Sequence, residues 1–61
     1  MTEKTSSRQA IVDAAAQLIR TRGVQGTSIA QLVATSGTSA GAIYHHFSDK
    51  NAVVVAVARE T

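Results

Sequence analysis

Residues 37–50 run Gly37-Thr38-Ser39-Ala40-Gly41-Ala42-Ile43-Tyr44-His45-His46-Phe47-Ser48-Asp49-Lys50. Gly37 is a helix stop, because glycine takes the left-handed conformation that closes a last turn. Ser39 is a helix start, because its hydroxyl can accept a hydrogen bond from a backbone N–H of the first turn. A stop and a start this close predict two helices joined by a tight turn, the second from Ala40 to about His46. Counting about 100° per residue from Ala40, Ile43 and Phe47 fall together at about 300° and 340°. Gly41, His45 and Ala42 fall opposite, at about 100°, 140° and 200°. Ile43 and Phe47 are therefore expected to face inward and Gly41, Ala42 and His45 outward, with Tyr44 and His46 at the flanks.

Upstream, Ser28 is an N-cap, and Gln31 three residues later completes a capping box. Ile29, Leu32 and Val33 form the inward stripe of a short helix that ends at Gly37. Before it, Ile11, Ala14, Ala15, Leu18 and Ile19 recur at helical spacing, which predicts a longer helix up to Arg22. Ser6 or Ser7 can cap its start, and Gly23 follows its last turn. Val24 stands where a contact back to Ile19 is expected, and Gln25-Gly26-Thr27 makes the connecting turn. Downstream, Ser48 is the expected N-cap of a fourth segment, with Asp49 in its first turn. Its run Ala52-Val53-Val54-Val55-Ala56-Val57 has strand propensity. No other segment offers it a strand to pair with, so a helix is expected. The predicted spans are 8–22, 28–36, 39–46 and 49 onward. The expected core is Ile11, Ala15, Leu18, Ile19, Ile29, Leu32, Val33, Ile43, Phe47, Val53 and Val57. The fold class is thus all-α: a three-helix bundle containing a helix-turn-helix, plus the start of a fourth helix.

Composition narrows the function classes. The chain has 61 residues, which is one domain at most. It has no cysteine, so disulfides and thiolate zinc sites are unavailable. It also has no proline, in keeping with helices and short turns. No apolar run approaches the roughly 20 residues needed to cross a bilayer, and the polar start Met1 to Ser7 is followed by no signal-peptide core. A cytoplasmic location is expected, with no membrane partner and no cofactor. The net charge is +2, from Lys4, Arg8, Arg20, Arg22, Lys50 and Arg59 against four acids. That permits a nucleic-acid partner without demanding one.

A capped helix, a glycine turn and a second short helix form a helix-turn-helix. The run from Gly37 through Ser39, Gly41, Ile43, Tyr44, His46 and Phe47 to Lys50 resembles the pattern of TetR-family transcriptional repressors. Arg8, Ile11, Ala14, Ala15, Leu18, Gly23 and Ser28 stand at that family's spacing as well. The resemblance covers residues 8–57. It departs at Thr38, where the family usually has an aliphatic residue, at Ala42, often Thr or Ser, at Asn51, often Glu, and at Val33, often Ala. It implies a flexible arm over residues 1–7 and a helix-turn-helix domain over 8–61. The family's inducer-binding and dimerising helices lie outside these residues, so a homodimer is expected only for a longer parent chain. It further implies sequence-specific binding of double-stranded DNA at a palindromic operator, with repression of transcription as the outcome.

In such a domain the second helix enters the major groove while the one before it crosses the backbone. The resemblance then puts Ala40, Gly41, Ala42 and His45 against the bases. Small residues let the helix come close, alanine can touch a thymine methyl, and His45 offers the hydrogen-bonding side chain. Tyr44, Lys50, Thr27, Ser28 and Ser39 suit phosphates, which fix position rather than sequence. Helix N-termini add amide donors, and Lys4 and Arg8 are a basic arm within reach of DNA. Each residue also has a plainer role: Tyr44 as a half-buried aromatic, Lys50 and His45 as solvated side chains, Ser28 and Ser39 as caps, and His46 as a packing residue.

The same residues match other chemistries by letter or spacing. Gly37-Thr38-Ser39-Ala40-Gly41 matches the Gly-x-Ser-x-Gly nucleophile elbow by letter, but that motif needs a strand before it. His45, His46 and Asp49 have ligand spacing on a helix face, yet they lack a fourth ligand. The remaining alternative is a small helical protein-interaction module that docks through its Val-rich last helix.

Overall fold

The computed structural model describes residues 7–60. They form four helices: α1 Ser7–Arg22, α2 Ile29–Ser36, α3 Ala40–His46 and α4 Lys50–Glu60. Ser7 is already helical, so it joins α1 rather than an N-terminal arm or a cap. Ser6, Lys4 and the rest of the expected arm lie outside the described residues. Gly23 and Gly37 close α1 and α2 with φ of 79° and 75°, and their N–H groups donate to Ile19 O and Val33 O. These glycines satisfy carbonyls that a last turn leaves unpaired.

One large side chain from each helix meets at the centre: Ile11, Leu32, Ile43 and Val53 are all fully buried. Around them lie Val12, Ala14, Ala15, Leu18, Phe47, Ala56 and Val57. α1 packs against α2, α3 and α4, so its buried arc is wider than one stripe and takes in Val12 beside Ile11. Three residues expected in the core, Ile19, Ile29 and Val33, are only half-buried and pack against its edge. Small Ala56 is buried where α4 lies on α1. Each fully buried aliphatic side chain stabilises the fold by about 1.5–3 kcal/mol.

The Val-rich segment is a helix. Its intrinsic preference is overridden because Val53 and Val57, one turn apart, both enter the core. That leaves little for a docking face on the last helix, since Val55 is the one large apolar residue of α4 that stays exposed. The start of α4 corrects one expectation. Asp49, not Ser48, is its cap: Asp49 Oδ1 accepts from Ala52 N at 2.9 Å. Near the other end, Arg8 lies 3.6 Å from Glu60 and 5.5 Å above the Phe47 ring. The ion pair is exposed and adds about 0–1 kcal/mol. Arg8 is thereby engaged with the bundle rather than extended from it.

Candidate nucleic-acid interface

The helix-turn-helix is assembled from short-range hydrogen bonds. Ser28 Oγ accepts from Gln31 N at 3.2 Å, and Ser39 Oγ accepts from Ala42 N at 3.1 Å. Only half of the expected capping box forms. With its amide oriented to satisfy both neighbours, Gln31 turns to the preceding loop, donating to Gly26 O and accepting from Arg22. The turn itself replaces an aliphatic contact with a polar one: the Ser36 and Thr38 hydroxyls lie 2.7 Å apart, and Thr38 N donates to Ser36 Oγ. Ser36 also donates to Leu32 O. These bonds fix the turn to the end of α2, directly before the Ser39 cap of α3.

After this turn, α3 buries Ile43, and Phe47 just after it, against α1. Its opposite face is open. Ala40, Gly41, Tyr44 and His45 are exposed, and Ala42 is half-buried. Tyr44 is 53% exposed, so the plainer half-buried role does not describe it. His46, expected to pack at the flank, is exposed as well. Its ring meets that of His45 edge-on at 5.0 Å and tilts against Phe47. It falls at about 240° on the α3 wheel, next to Ala42, which was the signal that could have placed it on the open face.

The expected phosphate contacts divide. Ser28 and Ser39 are exposed, and an oxygen that accepts from a backbone amide still has its own proton to donate. Capping and phosphate contact are therefore compatible at both. Lys50 lies at the start of α4, half-buried, and its Nζ donates to Val24 O at 3.2 Å. It bridges to the α1–α2 turn and keeps two further donors. Val24 itself stays 41% exposed. The α4 N-terminus is partly occupied, since the Asp49 carboxylate takes up the Ala52 amide.

Thr27 is a correction. It is only 2% exposed, and its hydroxyl donates to Gly23 O at 2.9 Å. Its side chain ties the turn together from inside and is not presented to a phosphate. Letter-matched Ser39 caps a helix that follows another helix, not a strand. Among the described residues no pocket opens, and no three His, Asp or Glu side chains are grouped to hold a metal. No described helix is long and apolar enough to cross a membrane.

Comparison with known proteins places this geometry in context. The profile of the "Bacterial regulatory proteins, tetR family" matches residues 11–57. The "HTH-type transcriptional repressor AcnR" of Corynebacterium diphtheriae is 42% identical over 59 residues, covering 97% of this chain and 31% of the relative. The "HTH-type transcriptional regulator AcrR" of Shigella flexneri is 41% identical over 49 residues, covering 80% of this chain and 23% of the relative. The chain thus spans about a third of the length of the curated relatives it matches first. A solved structure described as "Crystal structure of superantigen pfit" superimposes with a TM-score of 0.75 at 32% identity, over 87% of this chain and 27% of that one. With the family profile running from the first helix into the last, the chain belongs to the tetR family of bacterial regulatory proteins.

Proposed function

We propose that this chain is the double-stranded-DNA-binding unit of a transcriptional repressor. α3 lies in the major groove, and α2 crosses the phosphate backbone. The observation that carries this is the two-sided character of α3: Ile43 and the following Phe47 are buried, while Ala40, Gly41, Tyr44 and His45 stand open to solvent. A seven-residue helix held by caps at both ends presents that face as a rigid ridge of groove width.

His45 supplies the hydrogen bond to a base edge at the centre of the ridge. Ala40, Gly41 and Ala42 bring the helix close and offer apolar contact to thymine methyls. Tyr44, Ser28, Ser39 and Lys50 bond to phosphates and set the register. The parent protein acts as a homodimer on a palindromic operator, each copy occupying one half-site, and does so in the cytoplasm. Its role is regulatory, not catalytic.

Selection from a pool of random duplexes, followed by fluorescence-anisotropy titration across a salt series, tests this. A consensus should emerge, and the logarithm of affinity should fall linearly with the logarithm of salt. Absence of binding to any duplex at low salt would refute the assignment.

A further inference from the structure

The fold accounts for three of the four glycines. Gly23 and Gly37 hold positive φ, and a Cβ on Gly26 would sit 2.6 Å from the Arg22 carbonyl oxygen. Gly41 has neither reason. It is the second residue of α3, in its first turn, without a positive φ, and is exposed. A Cβ built there would meet only Ser39 Oγ, at an ordinary van der Waals distance of 3.7 Å. Glycine is the poorest helix former after proline. At seven residues, α3 is the shortest helix among those described, so it has few other bonds to offset that penalty. For the free domain, alanine at position 41 is the better residue.

We propose that Gly41 is a close-approach point, where the α3 backbone comes into van der Waals contact with the DNA duplex and a methyl group would collide with it. This rests on α3 lying in the major groove. Gly41 sets how deeply α3 seats, and through that whether His45, one helical turn further on, reaches a base edge. It is a positioning residue for His45. The free domain is kept less stable than its sequence allows so that the bound helix fits.

The test pairs thermal melting with anisotropy titrations of a fluorescent mixed-sequence duplex at low salt, for the parent chain, Gly41→Ala and Gly41→Ser. Gln17→Ala, on the exposed face of α1, is the control and should bind as the parent does. Gly41→Ala is expected to raise Tm by about 4–8 °C while weakening the duplex complex roughly tenfold. Gly41→Ser should weaken it at least as much. Opposite signs for stability and binding are what a purely structural glycine does not produce. A lower Tm for Gly41→Ala would overturn the proposal, because the fold would then need the glycine. So would a higher Tm with parent-like affinity, because nothing would then approach the backbone closely. A parent chain that binds no duplex removes the groove placement of α3, and this proposal with it.

Discussion

Leu32→Ala tests the architecture at its most exposed point of failure, because Leu32 is the one buried side chain of α2 and is itself 0% exposed. The substitution removes three carbons from the centre of the bundle. At about 0.8 kcal/mol each, the transfer term is roughly 2.4 kcal/mol. The three other large side chains that are fully buried, Ile11, Ile43 and Val53, come from three different helices, so the site collapses only in part. A residual cavity adds about 1–2 kcal/mol, for a total of about 3–4 kcal/mol. Against a stability of about 3–9 kcal/mol for a chain of 61 residues, that is a large fraction. The assay is urea denaturation followed by far-UV circular dichroism. With a slope of about 1 kcal/mol per molar, the midpoint should fall by about 3 M. Ile43→Val, expected to cost about 0.5–1.5 kcal/mol, extends the measurement if Leu32→Ala is already unfolded in water. A midpoint shift under about 1 M for Leu32→Ala would mean that Leu32 is not enclosed, and that α2 is not held as described.

Gly26→Ala should lower Tm, because its Cβ would lie 2.6 Å from a backbone oxygen of Arg22 and the turn must shift, at a cost of about 1–3 kcal/mol; an unchanged melt would contradict the close packing of that turn. Asp49→Ala should cost about 1 kcal/mol through loss of the α4 cap, whereas Ser48→Ala should stay within about 0.5 kcal/mol, and chemical denaturation showing the reverse order would restore Ser48 as the cap. For DNA, affinities on a preferred and a random duplex at matched salt should separate two side chains. Lys50→Ala weakens both equally and flattens the salt dependence by about one unit of slope, while His45→Ala narrows the gap between them by roughly 1–3 kcal/mol. Equal losses on both duplexes for His45→Ala would make it a backbone contact.

Much of the helix-turn-helix was legible from residues alone, because its signals act over four residues or fewer. Gly23 and Gly37 as stops, Ser28 and Ser39 as caps, and the inward turn of Ile43 and Phe47 all depend on the backbone of their own turn. The open face of α3 followed in part from the same periodicity: Gly41 and His45 are exposed as expected, whereas Ala42, also expected outward, is half-buried. What stayed hidden depends on how helices cross. Thr27 has the letter of a surface hydroxyl, but it is buried because the chain folds back and brings Gly23 O within reach. Val12 lies off the apolar stripe of α1 and is buried because three helices pack on that helix rather than one. Lys50 meets Val24 O, and Arg8 meets Phe47 and Glu60, across separations that no local pattern encodes. The choice of Asp49 over Ser48 as cap, and of helix over strand for the valine run, went the same way. In each, local preferences differ by about 1 kcal/mol or less, and burying Val53, Ala56 and Val57 against α1 outweighs them.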